Sequence, residues 1–184
     1  MIDFTSISYL KNGNPKQKLA YKILNENRIM DILHEFDPIL VGTVPINIDI
    51  ENSDLDIICF WKNQRAFREK LIAQFSEFKA FRIQDISIHG QLTTLTNFFI
   101  DKIEIEIFGQ NIPTESQYGY RHMLIENKLL LEKGDNFRME IIKLKQQGYK
   151  TEPAFAKILG LEGDPYQELM KFETAYPETK KRIN

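Results

Sequence analysis

The sequence predicts an α/β (α+β) chain: a mixed sheet flanked by helices, followed by a C-terminal helical segment. Three observations carry this expectation. Short apolar runs rich in β-branched residues, at 39–41 and 55–61, sit among helix-period stretches in the first 80 residues. Strand-type alternation then fills 81–108, and from Pro113 onward the pattern is helical. The natural division lies near residue 111, with an α/β domain over 1–111 and a helical segment over 112–184.

After the turn-forming Lys11-Asn12-Gly13-Asn14-Pro15, apolar residues recur at Leu19, Ile23, Leu24, Ile29, Ile32, Leu33 and Phe36. That spacing predicts one helix over 16–36, ending before Asp37-Pro38 because the residue preceding a proline is disfavoured in the helical region. Ile39-Leu40-Val41 is a short strand stopped by Gly42, and a long loop leads to the strand at 55–61. Residues 64–79 place Phe67, Leu71, Phe75 and Phe78 at helical spacing with charges opposite, which predicts an amphipathic helix. Three antiparallel strands are expected at 83–89, 92–100 and 103–107, with turns at His89-Gly90 and Asp101-Lys102. Helices follow at 115–132, 135–147, 152–159 and 165–175. Gly134-Asp135, Gly148 and Gly163-Asp164-Pro165 separate them, with Thr151 and Asp164 as expected N-caps.

Composition bounds the function. With 42% hydrophobic residues the chain can bury a core without staples. Twenty-four Lys and Arg against 26 Asp and Glu leave a net charge of -2. No global basic field gathers polyanions, so bulk nucleic acid is not the expected partner. The single cysteine, Cys59, excludes an intramolecular disulfide and any multi-cysteine metal cluster. No targeting segment and no run of membrane-spanning length is seen, so a cytoplasmic protein is expected.

The chemistry concentrates on acids. Alternation along a strand sets Asp54 and Asp56 on one face and Leu55, Ile57 and Cys59 on the other. Two carboxylates on one spot suit Mg²⁺, or Mn²⁺, which takes oxygen ligands and phosphate oxygens. Glu104 and Glu106 repeat the arrangement, and a third carboxylate beside the pair would repel it unless a cation or a raised pKa intervened. Upstream, Gly42 lets backbone approach a phosphate closely, and Thr43 adds a hydroxyl. Cys59 reads as a small core residue, and His34, His89 and His122 as surface or capped residues without ligand spacing. The pairs Gln117/Arg121 and His122/Glu126 read as helix-surface contacts. Phe78, Phe81, Phe98 and Phe99 read as core.

Val41-Gly42-Thr43, ten residues, then Asp54-Leu55-Asp56 between apolar flanks resembles the signature of the DNA polymerase beta-like nucleotidyltransferase superfamily. Ile105-Glu106-Ile107-Phe108 resembles its third-carboxylate strand. Gln117-Tyr118-Gly119-Tyr120-Arg121-His122-Met123 and Lys150-Thr151-Glu152-Pro153-Ala154-Phe155-Ala156 resemble a bacterial branch of small proteins in that superfamily. Better understood relatives modify antibiotics by adenylation or act as minimal nucleotidyltransferases in toxin-antitoxin pairs. The resemblance implies Mg²⁺-dependent transfer of a nucleoside monophosphate from a nucleoside triphosphate, ATP first, to a hydroxyl on a small molecule or protein acceptor.

In that reading Asp54, Asp56 and Glu106 are catalytic and hold the metal, with Glu104 the alternative third acid. Glu106 is preferred because the apolar pair Ile107-Phe108 follows it. Gly42 and Thr43 bind the triphosphate, and Arg121 and Lys150 are candidate phosphate or substrate contacts. Two departures stand out: Thr43 replaces the commoner serine, and the third acid is glutamate rather than aspartate. The rival expectation is a non-catalytic nucleotide-binding or partner-binding protein of the same fold, as in an antitoxin.

Overall fold

The computed structural model describes residues 2–173, which divide into two compact units, the first ending at Met123 and the second starting at Leu124. The first unit is built on a five-stranded sheet: β1 (Ile39–Val41), β2 (Leu55–Phe60), β3 (Lys79–Ile88), β4 (Gln91–Ile100) and β5 (Ile103–Gln110), in the spatial order β1-β2-β5-β4-β3. It is mixed. β2 and β5 pair in parallel, and every other neighbouring pair is antiparallel.

The helices of this unit are α1 (Pro15–Glu26), α2 (Ile29–Leu33) and α3 (Gln64–Phe75), and the start of α4 (Tyr118–Gln146). The helix expected over 16–36 is therefore two helices and a terminal 3-10 turn at His34–Phe36. The break has a local cause: Asn27 turns its amide back to the Ile23 carbonyl at 2.9 Å, and Arg28 takes left-handed φ of 53°. α1 begins with a full capping box, because Asn14 accepts from the Gln17 amide while Gln17 accepts from the Asn14 amide, and Pro15 opens the helix.

Leu40, Leu55, Ile57, Cys59, Ile105 and Ile107 are all 1% exposed or less, forming a core with Phe36, Phe67, Leu71, Phe75 and Phe98. Phe75 stacks on Phe98 with ring centres 4.9 Å apart. Gly109 is required by this packing: a β-carbon there would drive into the Phe67 ring. The hairpin turns fall where expected, with positive φ at His89, Gly90 and Asp101.

In the second unit α4 continues past Gly134, whose φ of 79° interrupts it, so the expected break between two helices is present within one continuous run. α5 (Thr151–Leu159) and α6 (Pro165–Met170) follow, and Phe137 meets Phe155 edge-on in this unit's core. Asp164 caps α6 as expected, accepting from the Tyr166 and Gln167 amides. Thr151 is instead the first helical residue of α5, with Lys150 in the cap position. The last helix, expected to run to 175, ends at Met170, with Lys171 in the cap position; residue 175 itself lies outside the described residues. Among the described residues, no helix is long and apolar enough to cross a membrane.

Candidate functional site

The core-facing residues of β2 and β5 fix what the other face presents. Leu55, Ile57, Ile105 and Ile107 are buried, so the residues between them turn outward, and Asp54, Asp56, Glu104 and Glu106 are all half-buried. Parallel pairing sets Asp56 directly beside Glu106. Neighbouring strands lie about 4.8 Å apart, so two carboxylates share one patch by backbone register alone.

Burial raises the Glu106 pKa above the ordinary glutamate value. The Asn97 hydrogen bond opposes that rise, and the charges of Asp54 and Glu104 add to it. The acids form an open group: no trio among Asp54, Asp56, Glu104 and Glu106 brings its oxygens all within 4.8 Å of one another. Closing them on a cation takes side-chain rotation, since the backbone already aligns them. The all-oxygen donor set fits a hard divalent ion.

The Glu106 shift makes a pH prediction with a definite sign. A carboxyl whose pKa is higher in the fold than in the unfolded chain holds its proton more tightly when folded. Its contribution favours folding below the ordinary glutamate value and is lost as pH rises through the raised value. Glu106→Gln is therefore expected to raise Tm at pH 7, without divalent ions, by on the order of one or two degrees, with the difference vanishing near pH 4. Melting curves across pH check it, and a Tm lowered at pH 7 would contradict the sign.

β1 brings the second part of the site. Val41 pairs with Asp56, and the chain then turns at Gly42 with φ of 79°. A β-carbon on Gly42 would fall well inside contact distance of Asp56 Oδ2, so only glycine leaves that carboxylate in place. Thr43 Oγ1 donates to Ser53 Oγ at 3.3 Å, and Ser53 Oγ accepts from the Ile50 amide at 2.9 Å, tying the two ends of the loop together.

The N-terminus of α1 clamps the same loop, a role the sequence reading missed. Gln17, 7% exposed, donates from Nε2 to the carbonyls of Val44 at 2.9 Å and Pro45 at 3.2 Å. Asn14 donates to Asp49 Oδ1 and Asn47 Oδ1, and Lys16 to the Glu51 carbonyl. The available signal was Asn14-Pro15-x-Gln17, which spells a capping box, although nothing in it says what else the caps hold.

Asn97 and Arg82 were also missed. Asn97 is the β4 partner of Glu106, and its Nδ2 donates to Glu106 Oε2 at 3.1 Å and Glu104 Oε1 at 3.2 Å. Arg82 is the β3 partner of Asn97, with Nη2 3.6 Å from Glu104 Oε1. Asp56, Glu106, Asn97 and Arg82 thus form one row across four strands on one face of the sheet.

The remaining candidates behave differently. Arg121 lies on α4 in the first unit, its guanidinium over the Tyr118 ring at 5.5 Å from the centroid. Lys150 is exposed and belongs to the second unit. Gln117 and His122, expected at the helix surface, are buried; Gln117 donates to the carbonyls of Cys59 and Ile112. Glu126, expected alongside them, is buried in the second unit, where burial foremost and then the Glu152 charge raise its pKa well above the ordinary value while Lys145 opposes. Amphipathic pairing at i, i+4 looks the same from sequence whether the pair faces solvent or protein. Cys59 is a core residue as expected, its thiol pKa pushed up by burial and by the nearby Asp37 charge. Phe98 is in the core, with Phe78 packed against it.

The mixed sheet flanked by helices matches the fold of solved nucleotidyltransferases. The Cid1 poly(U) polymerase with Mg 3'-dATP bound aligns at a TM-score of 0.50 and 14% identity, over 85% of this chain and 48% of that one. The polymerase core of TRAMP, an RNA surveillance complex, aligns at 0.50 and 11%, over 93% and 54%. A cytoplasmic RNA terminal U-transferase gives 0.49 and 13%, over 72% and 39%. This chain thus spans between two-fifths and little more than half the length of these proteins. At such identities the likeness concerns the fold alone. No curated protein matches the sequence. Residues 22–172 match the family model described as a domain of unknown function, DUF4269, and the chain belongs to that family.

Proposed function

We propose that this protein is a metal-dependent nucleotidyltransferase that moves a nucleoside monophosphate from a nucleoside triphosphate, ATP first, to an acceptor hydroxyl. The single observation that supports this best is the parallel pairing of β2 with β5, which sets Asp56 beside Glu106, next to a turn at Gly42 that tolerates no side chain against Asp56.

In this reading Asp54, Asp56 and Glu106 hold Mg²⁺ or Mn²⁺, and Gly42 with Thr43 binds the triphosphate through backbone and hydroxyl. Held there, the ion would supply positive charge against the phosphate being transferred. Glu106, set beside Asp56 by the strand register, takes the proton of the acceptor hydroxyl. The clamp from Gln17, Asn14 and Lys16 keeps the loop from 43 to 53 in one shape, so that turn and acids are organised before substrate arrives. Arg121 is a phosphate contact in the same reading. The acceptor is a small molecule, a protein or, given the RNA surveillance complex to which one neighbouring polymerase core belongs, an RNA end. A cytoplasmic location and membership of a bacterial branch of small nucleotidyltransferases belong to the same proposal.

One observation favours a rival. Asn97 bridges Glu104 and Glu106, so a hydrogen bond satisfies part of both acids, as a non-catalytic nucleotide-binding or partner-binding protein would allow. Melting the protein with each of the four nucleoside triphosphates, with and without Mg²⁺ or Mn²⁺, separates the two. A ligand near a hundredfold above its Kd stabilises by about 2.7 kcal/mol, a Tm rise of roughly 5 °C or more in a chain this long. The rise is expected only with nucleotide and metal together, accompanied by pyrophosphate release on adding acceptor. A rise without any released pyrophosphate favours the rival, and no metal-dependent rise rejects both the enzyme and a nucleotide-binding rival.

A further inference from the structure

The geometry points to an anion subsite at Arg82, on the acceptor side of the row beyond Asn97, selecting an acceptor whose hydroxyl neighbours an oxyanion. This rests on the nucleotidyltransferase reading and adds the substrate class to it.

The row has a direction. At one end, Val41 runs into the Gly42-Thr43 turn beside Asp56; at the other, beyond Glu106, lie Asn97 and then Arg82. In an in-line displacement the attacking and leaving oxygens lie on opposite sides of the transferred phosphorus. With the leaving pyrophosphate held at the turn, the acceptor oxygen must come from the Glu106 side. There it forms the new bond to the α-phosphorus as the bond to the pyrophosphate oxygen breaks. The hydroxyl proton passes to Glu106, and the electron pair leaves with pyrophosphate. The next side chains outward in the row are therefore the ones the rest of the acceptor meets.

Those side chains are an amide and a guanidinium. Arg82 stands two strands from Glu106, about 10 Å between α-carbons, so an anion at its fork lies within one small molecule's length of the reacting hydroxyl. A guanidinium edge matches phosphate or carboxylate oxygens. Its present partner holds it weakly: the Arg82 side chain is 71% exposed, and the contact with Glu104 is 3.6 Å long. Redirecting it to a ligand thus costs little. A register irregularity between Lys79 and Arg82, with positive φ at Ala80, marks this end of the edge strand.

Calorimetric titration of the full chain with glycerol 3-phosphate, glycerate, a uridine dinucleotide and glycerol tests this, using wild type, Arg82→Gln and Arg82→Lys, with ATP and Mg²⁺ titrated in parallel. At least one oxyanion-bearing hydroxyl compound is expected to bind wild type while glycerol does not. Arg82→Gln should weaken it tenfold or more, Arg82→Lys should recover part of the loss, and the Kd for ATP with Mg²⁺ should move less than twofold. The tightest probe names the source of the anion. Binding that survives in Arg82→Gln, wild type that binds none of the three, or a loss that falls on ATP instead would each overturn the subsite. If ATP with Mg²⁺ fails to bind wild type while an Arg82-dependent anion still does, the nucleotidyltransferase reading fails and the anion site stands alone.

Discussion

Asp54→Asn is expected to lower turnover by a thousandfold or more while leaving the fold intact. The side chain is half-buried at the mouth of β2, and the substitution keeps its shape, so no cavity opens and no packing changes. What changes is charge. In the proposed mechanism Asp54 is one of three carboxylates that hold the cation, and stabilisation of several kcal/mol in the transition state corresponds to about three powers of ten at 1.4 kcal/mol each. The same loss of charge has a second effect of opposite sign. The Asp54 charge helps to raise the Glu106 pKa, so Asp54→Asn should bring it back toward the ordinary glutamate value and leave the metal-free protein as stable as wild type, or slightly more so. Kinetics, metal-free melting curves and the nucleotide-with-Mg²⁺ shift in Tm together form the test. Lost turnover and a lost metal-dependent shift on an unchanged metal-free Tm is the expected result. An unchanged rate would eliminate the metal role, and a collapsed Tm would mean the residue serves the fold.

How far the site could be read from sequence depended on the range of the interaction involved. Most of what neighbours along the chain set was legible. Alternation alone separates Asp54 and Asp56 from the buried Leu55, Ile57 and Cys59, and left-handed residues close the turns at His89-Gly90 and Asp101. The helical interruption at Gly134 likewise needs only local information. The break at Asn27-Arg28 did not show, because arginine carries no signature for left-handed backbone, and the apolar spacing ran straight through it. What sequence could not supply was register between strands some 50 residues apart. That register decides that Glu106 rather than Glu104 lies opposite Asp56, and that Asn97 and Arg82 continue the row. An isolated Asn or Arg on an exposed strand looks like solvation until its cross-strand partner is known. Gln17 was hidden for the same reason: its capping role is local, but its hold on Val44 and Pro45 is not.

Gly42→Ala isolates the turn from the acids and is expected to have the second-largest effect. Two costs are separable. An L side chain in left-handed backbone costs about 1–2 kcal/mol, which for a chain of this length lowers Tm by roughly 2–8 °C. In addition the new methyl would collide with Asp56 Oδ2, and since the backbone of β1 is fixed by its ladder with β2, the carboxylate must swing away. Gly90 provides the control, because it has a similar φ of 77° but its added methyl would meet nothing within 4 Å. Both alanine variants should therefore lose stability from backbone strain. Only Gly42→Ala should also lose turnover, by a hundredfold or more, together with the nucleotide-dependent shift in Tm, because only there does the methyl displace an acid. In the proposed mechanism ground-state binding and chemistry would fall together, since there the turn carries the triphosphate and also leaves room for Asp56 beside Glu106. If Gly42→Ala retains full turnover at a temperature where it stays folded, the turn does not shape the site; if both variants lose turnover equally, strain rather than the Asp56 contact is responsible.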